Sequence, residues 1–538
     1  MSFRNLLTQR SLAGITLFLL LFISCQTETK PRSDAASEVE KFALNGMSID
    51  ALQEKLENGQ YTSHQLVALY LDRIIDIDQQ GPGLHAILEI NPDVLAIADS
   101  LDAERAAKKV RGPLHGIPIL LKDNIDTGDK MHTTAGSLAL ADHIASRDAF
   151  VVHQLRKAGA IILGKTNLSE WANFRSSRSV SGWSSRGGQT KNPYLLDRSP
   201  CGSSSGSGVA VSADLCVIAV GTETDGSIAC PASMNGIVGI KPTVGLVSRT
   251  GIIPISKSQD TAGPFGKTVR DAAILLGAMT GIDPMDPVTL SSKEKSKTDY
   301  TVYLDPDGLK GKRIGVEKSL LHGHEVVDAL LQKALDQMKA QGATIVEVDF
   351  MPEYSNLGND EFTMMKYEFK DGLNQYLSNS GSKMKSLEDV IRFNKEHEST
   401  VMPFFKQETL DSAQVKGGLD SKEYTTAVNH LASGHTYIDK LLRDQSLDAL
   451  CGPATGPAWC IDPITGDHWT GYGAYGIAAV TGYPSITVPM GMVNELPVGI
   501  SFFSKAYDEP GLLAIAYAYE QASKNRMAPK FIPTFQTK

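Results

Sequence analysis

The sequence predicts an α/β fold, one large domain whose mixed β-sheet core is covered by helices. Three observations predict it. Short apolar runs alternate with helical stretches from residue 48 onward. The composition is that of a globular chain, 42% hydrophobic and 21% charged over 538 residues. No linker signal interrupts the chain after residue 45, so residues 45–535 are read as one domain rather than several.

The elements follow in order. Leu52, Leu56, Leu66, Leu69, Tyr70 and Ile74 recur at three- and four-residue intervals between Ser48 and Ile75, the period of helices facing a core. Thr62 and Gln65 form a capping box for the second of them. Residues 96–109 read as a further helix, rich in Ala with mixed charge. Ile117-Pro-Ile-Leu-Leu121 is a short apolar strand, followed by the helix 149–158 and the β-branched strand Ala160–Gly164. Leu215–Gly221 is another buried strand. Lys312–Val316 and Thr344–Val348 are strands flanking the helix 326–341, and Leu447–Leu450 and Ser485–Val488 resume the strand pattern. Residues 351–440 are more polar and mostly helical, and read as an insertion over the core.

The first residues read differently. Arg4 and Arg10 precede the apolar run Gly14–Ile23, which is too short for a comfortable membrane span and has the form of a secretory signal. Its ending, Phe22-Ile-Ser-Cys25, resembles a bacterial lipobox. The expectation is therefore a signal over residues 1–24, lipidation at Cys25 and a polar tether over 25–44, giving an exported lipoprotein held at a membrane on the periplasmic or cell-surface side. A plain signal peptide or a short anchor with an incidental cysteine is the alternative.

The formal net charge of −9 provides no positive field to draw phosphates, so nucleic acid is not an expected partner. Six cysteines are present, none in a zinc-binding spacing. Cys201, Cys216 and Cys230 read as small buried apolar residues. Cys451 and Cys460 have a spacing that leaves a disulfide open.

The richest region runs from Arg198 to Lys241. Ser199-Pro-Cys-Gly-Ser-Ser-Ser-Gly-Ser-Gly208 is too closely tied to apolar segments to be a linker. It also lacks the Gly-Lys-Ser/Thr of a phosphate-cradling loop. A second dense run, Gly221-Thr-Glu-Thr-Asp-Gly-Ser-Ile228, follows. Two glycine-rich serine loops point to a serine nucleophile served by backbone N–H donors, because glycine lets the main chain approach a substrate closely. Histidine is the usual helper for serine. Of the 12 histidines only His115 is near a candidate loop. Gly202-Ser-Ser-Ser-Gly206 fits the nucleophile-elbow pattern around Ser204, so a hydrolase of that kind is a rival.

These segments, with Gly116-Ile-Pro-Ile-Leu-Leu-Lys-Asp-Asn124, Lys241-Pro-Thr243 and Gly482-Tyr-Pro-Ser-Ile-Thr-Val-Pro-Met490, resemble the amidase signature family over about residues 45–530. The resemblance implies that family's fold and a Ser-Ser-Lys triad. Lys122 is the general base, Ser203 the bridging serine after a cis peptide bond, and Ser227, 24 residues further on, the nucleophile. Many members have Asp at position 223, Gly at 225 and Arg at 229, where this chain has Glu223, Asp225 and Ala229. Any bracing of the loop by that arginine must here be done differently. The departures, with Arg198-Ser-Pro-Cys-Gly202, are similar to the peptide amidase branch, which removes ammonia from C-terminal peptide amides.

The chemistry needs such residues. Ser227 must lose a proton as it attacks, and the leaving nitrogen must gain one. Ser203 can accept and donate at once. A lysine titrating near 10.4 is a poor base at neutral pH, and burial lowers it. The resemblance implies an oxyanion hole from the backbone N–H groups of Thr224, Asp225, Gly226 and Ser227. The Asp225 carboxylate either meets a substrate N–H or braces the loop. The expected enzyme cleaves a carboxylic or C-terminal peptide amide to acid and ammonia, with no metal or cofactor. Two other readings are a glutaminase-type subunit for tRNA-dependent amidation and a noncatalytic surface lipoprotein on the same scaffold. Pocket-lining residues are expected between Met351 and Thr436.

Overall fold

The computed structural model describes residues 42–536. The expected signal, Cys25 and most of the expected tether lie outside the described residues. Leu44, within the expected tether, is already buried in the core.

Eleven strands form one mixed sheet. In chain order they are β1 (Ile87–Ile90), β2 (Pro118–Lys122), β3 (Ile161–Thr166), β4 (Ile218–Glu223), β5 (Val238–Lys241) and β6 (Thr261–Gly266), then β7 (Arg313–Glu317), β8 (Thr344–Val348), β9 (Ala449–Pro453), β10 (Ser485–Val493) and β11 (Leu496–Phe503). Their order across the sheet is β1-β3-β2-β4-β6-β5-β10-β11-β9-β7-β8. β2 runs parallel to both β3 and β4, and β7 runs parallel to β8 and β9. Every residue of β2, β3 and β4 is buried, as expected of parallel strands covered on both faces. The strands read from apolar runs are present with small changes of boundary.

β1, β5, β6 and β11 were not anticipated. β6 is Thr-Ala-Gly-Pro-Phe-Gly, whose glycines and proline are turn signals. It lies between β4 and β5, where burial overrides propensity. The Gly/Ser run holds a second surprise, an α-helix over Ser205–Ser212 with every residue buried. Glycine is a poor helix former, but a Cβ at Gly206 would lie 2.4 Å from the Ala86 carbonyl. The helix can pack this closely only because that atom is absent.

At the N-terminal end, the Thr62–Gln65 capping box is formed by both reciprocal bonds. Helices Met351–Asn379 and Lys422–Asp444 lead a helical layer over one side of the sheet. Leu357, Met364, Leu431 and Ile438 share one apolar cluster with Ile477 and Phe503. Phe369 and Leu373, further along the first helix, pack against Trp171, Ile253 and Ile255. The layer thus grips the core at two places and spans the carboxyl ends of β2 and β4.

Candidate active site

Lys122 is the last residue of β2, and its neighbour β4 ends at Glu223. Because the two strands are parallel, with Leu121 beside Val220, both chains leave the sheet at the same edge. The Lys122 side chain is fully buried. Its Nζ lies 2.8 Å from Ser203 Oγ, 3.0 Å from Ser204 Oγ, 2.9 Å from Thr222 Oγ1 and 3.2 Å from the Thr222 carbonyl. All four partners are uncharged. Burial therefore lowers this lysine to about 7, opposed only in part by the more distant carboxylates Asp260 and Glu223. Lys165, also buried, has Asp123 and Asp126 as the leading opposing charges.

Ser203 opens the next link. Its Oγ lies 3.0 Å from Ser227 Oγ, which completes a continuous chain from Lys122 to Ser227. The Gly202–Ser203 peptide bond is cis, as the resemblance implies. Ser203 is fully buried, whereas Ser227 retains 8% exposure. The hydroxyl at the Ser227 end of this chain of contacts is thus the one reachable from outside.

The loop after β4 is held by Glu223. One carboxylate oxygen accepts from the Ile228 N–H at 2.6 Å and the Ala229 N–H at 2.9 Å. These are the free donors that begin helix Ala229–Met234. Glu223 thus caps the Ser227 loop, a bracing that needs no arginine at 229. Gly226 has φ +78°, and a Cβ there would sit 2.4 Å from the Tyr475 ring. Among the described residues the N–H groups of Asp225, Gly226 and Ser227 have no protein acceptor.

The Asp225 carboxyl is pushed well above the usual range by burial and by the nearby carboxylates Glu361 and Glu223. Tyr354 donates to one of its oxygens at 3.4 Å, and the other is buried without a protein partner. Burial raises Glu361 to about 7, and Gln259 donates to it at 2.7 Å. A cavity of about 160 Å³ beside this group is lined by Tyr354, Trp469, Tyr472, Gly473 and Tyr475. A second, of about 200 Å³, reaches Asn124 and Thr222 from the side of Arg249 and Asp260.

The expected residues Lys122, Ser203, Ser227 and Asp225 are thus brought together. Ser204, the rival nucleophile, contacts Lys122 but donates to the Thr222 carbonyl at 2.9 Å. The buried His115 pairs its Nε2 with the Leu101 carbonyl at 3.0 Å, and so serves the turn before β2. Asn124, Thr222, Tyr354, Glu361 and Tyr475 were not singled out from the sequence. Asn124 and Thr222 stand inside the matched motifs, and Tyr354 and Glu361 fall in the stretch expected to line a pocket, but Trp469, Tyr472 and Tyr475 and the whole lining of the second cavity lie outside it.

The cysteine reading requires a correction. Cys201 and Cys230 form a disulfide with Cα atoms 5.9 Å apart, rather than standing as separate apolar residues. The fold brings the loop before Ser203 against the first turn after Ser227, which the sequence separation conceals. Cys451 is buried and Cys460 exposed, and both are free.

Comparison with known proteins gives consistent matches. Residues 65–513 match the family model Amidase. A protein of Arabidopsis thaliana assigned as an amidase is 41% identical over 501 residues, covering 91% of this chain and 93% of that one. A Schizosaccharomyces pombe protein assigned likewise is 38% identical, with 91% and 88% coverage. A glutamyl-tRNA(Gln) amidotransferase component from Caldanaerobacter subterraneus is 33% identical, with 91% and 99% coverage. Among solved structures, the native peptide amidase of Stenotrophomonas maltophilia superposes with a TM-score of 0.87 at 47% identity, covering 91% of this chain and 99% of that one. A peptide amidase in complex with the competitive inhibitor chymostatin gives 0.88 at 48%, with 91% and 100% coverage.

These matches correct the expected localisation. A lipobox is a bacterial processing signal, whereas the chain aligns at length with plant and fungal proteins. Among the described residues no helix is long and apolar enough to cross a membrane. The exported, lipid-anchored reading is withdrawn.

Proposed function

The chain belongs to the Amidase family and is an amide hydrolase, and from that premise we propose that it cleaves carboxylic or C-terminal peptide amides to acid and ammonia through an acyl-enzyme on Ser227. The observation that carries this reading is the unbroken Lys122–Ser203–Ser227 chain of contacts, 2.8 Å and 3.0 Å long. With Lys122 lowered to about 7, a large fraction of it is the free amine at neutral pH.

In the first step Ser227 passes its proton to Ser203 as it attacks the amide carbon, and Ser203 passes its own to the Lys122 amine. The oxyanion is received by the N–H groups of the Thr224–Ser227 loop; each such donor lowers the barrier by about 3–4 kcal/mol. The Lys122 ammonium returns the proton through Ser203 to the leaving nitrogen, ammonia departs, and water releases the acid by the same relay. The Asp225 oxygen without a protein partner takes an N–H of the substrate, and the aromatic pocket of Tyr354, Trp469 and Tyr475 receives the group beside it.

Release of ammonia from amidated dipeptides and simple carboxamides tests the reading. Wild-type turnover by the Ser227→Ala protein on every amide cleaved would end it. A glutaminase component for tRNA-dependent amidation is a second reading, favoured by the 33% identity to the amidotransferase protein. Glutamine hydrolysis that appears only with added partner proteins would select it.

A further inference from the structure

We infer that the Cys201–Cys230 disulfide is a positioning element of the active site, which holds the Ser203 loop against the Ser227 loop so that the two hydroxyls stay in contact. This rests on the Lys122–Ser203–Ser227 reading above. The bond closes a ring with a sequence separation of 29, and both serines lie inside it, each within a few residues of a cysteine. Cys201 lies just before the cis bond at Ser203, and Cys230 in the first turn of helix Ala229–Met234.

Hydrogen bonds also tie the two loops: Ser204 Oγ donates to the Thr222 carbonyl at 2.9 Å and accepts from the Thr222 N–H at 3.2 Å, and the Asn192 amide donates to the carbonyls of Ser199 and Met234. The Ser204 N–H reaches the Ser227 carbonyl at 3.3 Å, a long bond, and Asn235 donates to the Pro200 carbonyl at 2.9 Å. Glu223 and Cys230 stabilise the Ser227 loop internally, and Ser169 and Ser205 the Ser203 loop. These ties are hydrogen bonds, which can lengthen while the chain stays folded. The disulfide joins the two loops covalently, close to both serines, and it is buried among Leu195, Met234 and Trp459. A relay that moves a proton across 3.0 Å tolerates little slack; a misplacement of about 1 Å can cost about 100-fold in rate.

The test uses the full chain carrying Cys460→Ser, which removes the exposed thiol. Tris(2-carboxyethyl)phosphine reduces the bond: the phosphine supplies two electrons, water supplies two protons and the oxygen that leaves as phosphine oxide, and two thiols form. Mass spectrometry after alkylation in denaturant counts the thiols. The expected result is a fall in kcat on an amidated dipeptide of about 10-fold or more, with KM within about twofold, since binding does not need the relay. The rate of Ser227 labelling by a fluorophosphonate should fall in step, and reoxidation should restore both. Unchanged kcat in protein shown to be reduced overturns the inference. If reduction unfolds the chain, Cys201→Ala with Cys230→Ala is measured at a temperature where circular dichroism is native. Failure of that variant to fold also overturns the inference, because the bond then serves the fold alone. The intact-disulfide Ser227→Ala protein separates the two claims. If it turns over normally, the Ser227 reading fails. If it is inactive while reduced enzyme is fully active, only the positioning role fails.

Discussion

Lys122 Nζ and Ser203 Oγ stand 2.8 Å apart in a buried pocket whose other polar contacts are hydroxyls and one carbonyl. Among the described residues no carboxylate touches the amine. Burial beside uncharged partners therefore brings the lysine down to about 7, which a directly ion-paired carboxylate would oppose.

A pH profile follows. Below about 7 Lys122 is cationic and cannot accept the Ser203 proton, so kcat/KM should rise as pH climbs through that value. Asp260 favours the cation from a distance, so Asp260→Asn should move the rising limb to lower pH. A limb that stays in place or moves upward would contradict this assignment of charge. Lys122→Arg, permanently charged, should lose on the order of 1000-fold or more across the whole range.

Much of this site was legible in the sequence and some was not. Lys122, Ser203 and Ser227 could be found because each sits in a short motif whose order and spacing survive in one dimension. The helix Ser205–Ser212 could not, because its glycines speak for a loop and only burial against β2, β3 and β4 makes it helical. Tyr354 and Glu361 were narrowed to a region but not to residues, since a long helix exposes many positions and only the fold shows which face turns to Asp225. The disulfide was hidden for a related reason. Cys201 stands in a segment read for its serines and glycines, Cys230 in none, and the strand crossings that join them are tertiary.

Glu223 should matter for stability as well as for rate. Removing its carboxylate leaves the Ile228 and Ala229 N–H groups without their acceptor, and hydrogen bonds to charged groups are worth about 1.5–3 kcal/mol. Glu223→Ala should lower Tm by several degrees and reduce kcat. Glu223→Gln, which keeps one carbonyl acceptor, should fall between the two. Thermal unfolding followed by circular dichroism, with parallel turnover measurements, gives the order; equal behaviour of Ala and wild type would deny the cap.

Asp225 tests how the amide is held. If its unpartnered oxygen takes a substrate N–H, Asp225→Ala should raise KM for amidated dipeptides by about 10-fold or more, the scale of one well-placed hydrogen bond. Tyr354→Phe removes only the 3.4 Å donor to the other oxygen and should have a smaller effect in the same direction. Michaelis constants from ammonia release decide the matter. An unchanged KM in Asp225→Ala would leave Asp225 as a brace for the loop.

Gly226 separates backbone placement from side-chain chemistry, because it contributes no side chain. Two constraints meet there. Its φ of +78° is costly for any other residue, and a Cβ would lie 2.4 Å from the Tyr475 ring. Gly226→Ala should therefore displace the N–H groups of Gly226 and Ser227 and lower kcat by about 100-fold or more, the loss typical of one oxyanion donor. Adding Tyr475→Ala would relieve the clash but not the backbone strain. The double variant should recover part of the lost rate and never all of it. Full recovery would assign the glycine to steric fit alone, and no loss in Gly226→Ala would remove this loop from oxyanion binding.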